Sequence, residues 1–165
     1  MAITEKEYFV TLMSGEMAAT KRVLEALPAD QLDYTPHEKS RTAMSLATQI
    51  ALQPIAMLDI LKTGAPNFNS HMAESKPLTP AELGANFEKA VTELVSAVKA
   101  ADDATWGEKA LMEGEGMKWE TTRRDMIWGF LFDMIHHRGQ LSTFIRPMGG
   151  KVPAIYGPSG DSVGN

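Results

Sequence analysis

Four long segments with helical periodicity, each preceded by a threonine, constrain the fold more than any other feature of the sequence. The clearest is TPAELGANFEKAVTELVSAVKA, which begins at residue 79. Thr79 is placed as an N-cap, Pro80 takes the first helical position, and Glu82 completes a capping box. The apolar residues that follow recur at helical spacing: Leu83, Phe87, Val91, Leu94, Val95 and Val98.

The other three segments carry similar start and stop signals. In the first, Thr4 and Glu7 form a capping-box pair, and Pro28 ends the helical pattern. The second runs from about residue 42 to 62 and ends before a Gly-Ala-Pro sequence. It contains Pro54, which lacks a backbone donor and predicts a kink or a break near Gln53.

The last segment begins near Thr121 or Thr122 and continues to Pro147. Because four helices of similar length occur without an alternating strand pattern, the sequence predicts an all-α four-helix bundle in one domain over residues 1–165. The long connection 64–78 is unsuited to a tight hairpin and predicts a crossover between helices two and three. Residues 101–120 are predicted to form a loop or a short irregular excursion. Residues 151–165 are predicted to form an irregular tail over the bundle.

Composition excludes several classes of function. The formal net charge is −5, which argues against nucleic acid as a main partner. There is no cysteine, so thiolate nucleophiles and zinc–thiolate sites are excluded. The N-terminus does not resemble a signal peptide, and no apolar stretch approaches the roughly 18–20 residues of a membrane span. We therefore expect a cytoplasmic protein with no membrane partner, and an apolar, methionine-rich face predicts a homodimer.

A carboxylate lies inside the apolar run FLFDMI of the last helix, at Asp133. His136 and His137 follow three and four residues later, which brings their side chains onto neighbouring helix surface. A carboxylate and an imidazole one turn apart are also how helices present metal ligands. Two interpretations therefore stand: Asp133 pairs structurally with His137 or Arg138, or it belongs to a metal or catalytic site that needs a third ligand from elsewhere.

The second helix offers that third group in Gln49, which is flanked by apolar and small residues in LATQIAL. Gln49 is interpreted either as a hydrogen-bonded core glutamine or as a ligand that reaches the facing helix. His136 lies about 100° around the helix from His137, so it is assigned to a helix or subunit boundary, or to a supporting position near the site. Arg138 and Gln140 either orient the site or form hydrogen bonds between helices. Tyr156 is a candidate for a hydroxyl near a pocket.

Two longer stretches resemble a known family. HHRGQLSTFIRPMGGKVPAIYGPSGD is similar to the C-terminal signature of the DinB/YfiT-like family of small four-helix-bundle proteins, and LPADQLDYTPHEKSRTAMSLATQI resembles its loop and second helix. The resemblance runs from about Leu27 to Asp161. It implies a bundle that holds a divalent metal, often nickel or zinc, with one histidine from the second helix and two from the last.

Transferred to this chain, the resemblance places the metal ligands at Gln49, Asp133 and His137, of which only His137 is the expected histidine. A carboxylate is an acceptable ligand, but a neutral amide oxygen is a weak donor to a borderline metal. The implied ion, nickel or zinc, is therefore expected to be weakly held or absent.

Two main hypotheses about function follow. In the first, the protein is a metal-dependent hydrolase or a thiol-dependent transferase, in which a metal activates water or the thiol of a cosubstrate and Asp133 acts as a ligand or a base. In the second, it is a non-catalytic, stress-associated or ligand-binding bundle with a degenerate metal site. A third hypothesis is a purely structural homodimer.

Overall fold

The structure is a computed structural model that describes residues 2–67, 78–114 and 116–162. Four long helices form a bundle, which confirms the predicted fold class. A short helix and a two-stranded hairpin precede the last long helix. The elements are α1 (Glu5–Glu25), α2 (Ala43–Thr63), α3 (Pro80–Ala100), α4 (Asp103–Gly107), β1 (Lys109–Gly114), β2 (Met117–Thr122) and α5 (Arg123–Phe144).

The helix starts follow the predicted threonines. Thr4 and Thr79 both form complete capping boxes, with Glu7 and Glu82 respectively. The hydroxyls of Thr42 and Thr122 accept from backbone N–H groups three residues further on. Each cap satisfies a donor that the first helical turn leaves free, so local chemistry fixes where all four long helices begin.

Of the kink or break predicted near Gln53, the break does not occur, since α2 is continuous from Ala43 to Thr63. Proline removes one backbone hydrogen bond from the helix interior. The residues around it are buried against the other helices, including Ile50, Met57 and Pro54 itself. Tertiary packing therefore maintains the helix where local propensity opposes it.

By length and composition, α2 also meets the requirements of a membrane span, with a mean hydropathy of 1.4. The expectation that no apolar stretch approaches that length is therefore wrong. Of this apolar window, 56% is buried inside the bundle. The helix is therefore apolar because it packs in the core.

The directions of the helices follow from the contacts between them. Along α1 and α5, Glu5 accepts from Trp128 and Glu16 accepts from Arg138, so these two helices run parallel. Lys21 of α1 pairs with Glu88 of α3 at 2.5 Å, whereas Lys6 reaches the carbonyl of Ala101. Because the numbering rises along one helix as it falls along the other, α1 and α3 are antiparallel.

The same reasoning makes α2 antiparallel to α5. Arg123, at the start of α5, donates to the carbonyl of Leu61 near the end of α2, and Asp133 contacts Gln53 ten residues later. It follows that α2 and α3 are parallel, and they pack against each other. Their connection must return along the length of the bundle, which confirms the predicted crossover. Residues 68–77 of that connection lie outside the described part.

The interpretation of residues 101–120 as a loop was incomplete. This segment contains α4 and an antiparallel hairpin, in which Lys109 pairs with Thr122 and Gly114 pairs with Met117. The indole of Trp119 on β2 packs against Gly129 of α5, where a Cβ atom would lie 2.5 Å from the ring. The hairpin therefore depends on a tertiary contact that is not visible in its own sequence pattern.

The C-terminal tail has no regular secondary structure over residues 151–162 but is anchored at several points. The carboxylate of Asp161 accepts from the backbone N–H of Val152 and from Arg146, both at 2.9 Å. These bonds, the backbone one first, hold the pKa of Asp161 below its usual value. Arg22 of α1 donates to the carbonyl of Ala154, which ties the tail to the bundle.

Substituting Gly129 tests the packing of the hairpin on α5. We expect Gly129→Ala to lower the free energy of unfolding by about 1–3 kcal/mol, because the new methyl group overlaps Trp119. The matched control is Gly15→Ala in α1, where nothing lies within 4 Å of the added atom. That change is expected to stabilise the protein by roughly 0.5–1 kcal/mol. Equal effects of the two changes in urea unfolding would contradict the described packing.

Candidate functional site

Three side chains from two antiparallel helices meet at one oxygen of Asp133. Gln53 of α2 donates a hydrogen bond to Oδ2, and the Nε2 atom of Gln49 lies 3.5 Å from the same oxygen. The Nε2 atom of His137, one turn further along α5, lies 3.3 Å from it. The three residues that the sequence assigned to a metal site are thus brought together, with Gln53 added to them. We call Gln49, Gln53, Asp133 and His137 the Asp133 cluster.

The Asp133 cluster extends from the core to the surface. Gln53 is 1% exposed, whereas the side chains of His137 and Asp133 are 17% and 48% exposed. The amide oxygens of Gln49 and Gln53 are buried and have no hydrogen-bond partner among the described residues. Their amide nitrogens face the carboxylate because an oxygen in that position would be repelled, so the amide orientation follows from Asp133.

His137 is held on both sides of its ring. Its Nδ1 atom lies 2.8 Å from Oε1 of Gln140, and its Nε2 atom faces Asp133. The side-chain amide of Gln140 is exposed. Its oxygen can accept from a protonated Nδ1 atom, and after rotation of the amide its NH₂ group can donate to an unprotonated one, so Gln140 can bond to either tautomer of the imidazole. Gln140 therefore contacts the ring at the nitrogen that does not face Asp133, and its role in orienting the site stays a prediction.

The other predicted supporting residues differ in how close they lie to the Asp133 cluster. His136 is exposed, and its ring centre is 5.3 Å from that of His137. Arg138 points to α1, where it is 2% exposed and binds Glu16 and Thr20, so it forms inter-helix hydrogen bonds and does not orient the Asp133 cluster.

The hydroxyl of Tyr156 belongs to this second group of contacts. It lies 2.5 Å from Nη2 of Arg138 and donates to Glu16, and the guanidinium of Arg138 lies 4.9 Å from the centre of its ring. Tyr156 thus fastens the tail over α1 and α5. The structure places its hydroxyl at Arg138 and gives it no contact with the Asp133 cluster.

Sequence reasoning missed Gln53, although a signal for it existed. Gln49 and Gln53 are four residues apart in QIALQ, so they share one face of α2. Two amides on the buried face of an apolar helix need polar partners from a facing helix. The prediction at this point concerned the effect of Pro54 on the helix backbone and not the side chain of Gln53.

The donor set of the Asp133 cluster does not fit a resident zinc or nickel ion. Within residues 2–67, 78–114 and 116–162, no group of three His, Cys, Asp or Glu side chains is placed to hold a metal. The cluster has one imidazole and one carboxylate, and its amides are weak ligands for these metals. In addition, Oδ2 of Asp133 is already in contact with two amide nitrogens and with His137.

Comparison with known proteins agrees with the fold and with the family resemblance. The sequence profile of the DinB family matches residues 4–162. The chain belongs to the DinB family. A comparison with curated protein sequences finds no match.

Several solved structures of DinB-like proteins share the fold. A DinB-like protein from Bacillus subtilis is 18% identical, with a TM-score of 0.67 over 92% of this chain and 99% of that one. YfiT from Bacillus subtilis, described as a probable metal-dependent hydrolase with an unusual four-helix bundle topology, is 15% identical. Its TM-score is 0.67 over 90% of this chain and 91% of its own. A mycothiol-dependent maleylpyruvate isomerase is 15% identical, with a TM-score of 0.60 over 89% of this chain and 62% of that one.

Replacing Arg138 tests whether this residue is structural. Arg138→Met leaves the carboxylate of Glu16 partly buried without its cation, so we expect a loss of about 3–5 kcal/mol in the free energy of unfolding. The control is Arg146→Met, which removes an ion pair whose arginine side chain is 56% exposed. Its expected cost is at most about 1 kcal/mol. Similar stabilities of the two variants in urea unfolding would show that Arg138 does not have this role.

Proposed function

We propose that this DinB-family protein binds a small polar ligand at the Asp133 cluster and holds no resident transition metal. The observation that carries the proposal is the meeting of Gln49, Gln53 and His137 at Oδ2 of Asp133. Protein groups occupy the position where the family resemblance implies a metal–ligand bond. A location in the cytoplasm remains a prediction.

Metal binding would disturb these contacts at a cost. If Oδ2 of Asp133 turned to an ion, the amide nitrogen of Gln53 would lose its acceptor while remaining buried. A buried donor without a partner costs roughly 1–3 kcal/mol. At Gln49 the ion would meet a neutral amide oxygen where the family resemblance implies an imidazole. The bond to that weak ligand would offset little of the lost free energy.

A polar ligand can instead use the outer half of the cluster. Asp133 is half-exposed, and its Oδ1 atom has no hydrogen bond among the described residues. An N–H or O–H group of a ligand would find an acceptor there, with the oriented imidazole of His137 beside it. Gln49 and Gln53 would hold the carboxylate in place through its other oxygen, so that the site is ordered before binding.

A metal-dependent hydrolase or thiol-dependent transferase is the second candidate. It is favoured by the closeness of Gln49 and His137 to Asp133, because their Nε2 atoms lie 3.5 and 3.3 Å from its Oδ2 atom. The descriptions of YfiT and of the mycothiol-dependent isomerase point the same way. Since the chain has no cysteine, any thiol would have to come from a cosubstrate.

Metal analysis separates the two candidates. We expect protein without a histidine tag, incubated with zinc or nickel and then desalted, to retain far less than one ion per chain. The double variant Gln49→His/Asp133→His places three imidazoles at this point and is expected to retain close to one ion. The measurement is metal content by mass spectrometry. One ion per chain in the natural protein, lost in His137→Ala, would establish the metal-dependent candidate instead.

Thermal unfolding with added compounds tests ligand binding directly. Among small amines, amides and alcohols, we expect at least one to raise the melting temperature of the natural protein. A ligand at 100 times its Kd adds about 2.7 kcal/mol to stability. The same compound should leave Asp133→Asn unchanged, because its oxygen no longer carries a charge. No shift with any compound, or equal shifts in the variant, would refute ligand binding at Asp133.

A further inference from the structure

We propose that the ligand of the Asp133 cluster is a primary amine in its protonated, ammonium form. The inference rests on the proposed function, because it names the chemical class of the ligand at the same site. It is carried by the charge of Asp133, by the oxygen of this carboxylate that is free for a ligand, and by the donors that already surround the other oxygen.

The negative charge of Asp133 is not balanced by a lysine or an arginine in the part of the chain that the structure describes. Its side-chain contacts there are the amide nitrogens of Gln49 and Gln53 and the imidazole of His137. An amide donor is neutral, and an imidazole carries a charge only when both of its nitrogens are protonated. The cluster therefore offers its charge to a cation from outside the chain.

Two other carboxylates that join separate elements of the bundle show the difference. Glu88 of α3 is bound by Lys21 of α1 at 2.5 Å, so its charge is compensated within the chain. Glu5 has no such cation, but each of its two oxygens accepts from an indole N–H group. Asp133 differs from both, because it lacks a lysine or arginine partner and also keeps one oxygen free among the described residues.

Hydrogen-bond acceptors outnumber donors at the cluster. The free oxygen of Asp133 is Oδ1, and the side chain is 48% exposed, so a ligand can reach it. The buried amide oxygens of Gln49 and Gln53 also lack a donor among the described residues, and their partial negative charges add to that of the carboxylate. A ligand that brings both a positive charge and N–H groups matches this surplus, and charge-assisted hydrogen bonds are the stronger kind.

The surroundings of Oδ2 favour an ammonium group over a guanidinium group. A guanidinium binds a carboxylate best as a fork, with one N–H group on each oxygen. Oδ2 of Asp133 already faces two amide nitrogens and the imidazole, so the second arm of a fork would have to displace one of them. A primary ammonium group is a compact charge with three donors and can bind Oδ1 alone.

The test is a titration of the isotope-labelled full chain followed by NMR at about pH 8, where an ordinary imidazole is mostly neutral and a primary amine is protonated. The probes are n-propylammonium, its neutral counterpart propan-1-ol, tetramethylammonium as a cation without N–H groups, and methylguanidinium. We expect n-propylammonium to bind about 10-fold more tightly than each of the others. Its largest chemical-shift changes should fall on the side-chain amides of Gln49 and Gln53.

Asp133→Asn removes the charge and should weaken the binding of n-propylammonium by about 10-fold or more. The matched control is Asp103→Asn, which removes the same charge from a side chain that is 94% exposed and lies outside the cluster. This control should bind n-propylammonium as the natural protein does. The position of the shifts in the natural protein decides the question if Asp133→Asn does not fold.

Each alternative outcome separates this inference from the proposed function. Propan-1-ol that binds at the cluster as tightly as n-propylammonium would overturn the inference and leave ligand binding at Asp133 intact. Equal binding of tetramethylammonium or methylguanidinium would overturn it as well, because N–H groups on a compact charge would then not be required. No binding of any probe would also overturn it, and the unfolding screen with amides and alcohols would show separately whether the proposed function survives.

Discussion

The buried ion pair between Arg138 and Glu16 organises one side of the molecule. A guanidinium that is 2% exposed is tolerated only with partners, and here they are Glu16, Thr20 and the hydroxyl of Tyr156. These contacts fix α1 beside α5 in parallel and attach the tail to both. Arg138 and His137 are adjacent on α5 and point about 100° apart, so the ion pair and the Asp133 cluster lie on different sides of the helix.

On that other side, the carboxylate of Asp133 links α5 to α2. Its partners come from two turns of α2 and one turn of α5, so the cluster is a joint between antiparallel helices as well as a candidate binding site. In the part of the chain that the structure describes, the buried amide oxygens of Gln49 and Gln53 have no partners, and natural proteins tolerate such groups mainly where function requires them. Hydrogen bonds within the chain thus lie at the position where the sequence resemblance implies a metal ligand.

The features that the sequence predicted well are local. Thr4 with Glu7 and Thr79 with Glu82 identify helix starts because the cap and its partner are three residues apart. The crossover between α2 and α3 was predictable from the length of the connection. The hairpin was not, since its stability depends on Trp119 lying over Gly129 of another element.

The same distinction applies to the candidate site. Asp133 and His137 were found together because they are one helical turn apart. Gln49 was found as a polar residue in an apolar stretch of the second helix, and the family resemblance then assigned it to the metal site. Gln53 and the buried partners of Arg138 depend on which helix faces which, and spacing within one helix does not determine that. The continuity of α2 through Pro54 has the same origin, because packing around the proline outweighs a local preference.

The central claim is that Asp133 is held by protein hydrogen bonds and not by a metal. The most direct measurement is an anomalous difference map from crystals of the natural protein grown with zinc, recorded at the zinc absorption edge. The account predicts no peak among Gln49, Asp133 and His137, with the amide nitrogen of Gln53 within hydrogen-bond distance of Oδ2. A peak about 2.0–2.2 Å from both Asp133 and His137 would contradict it.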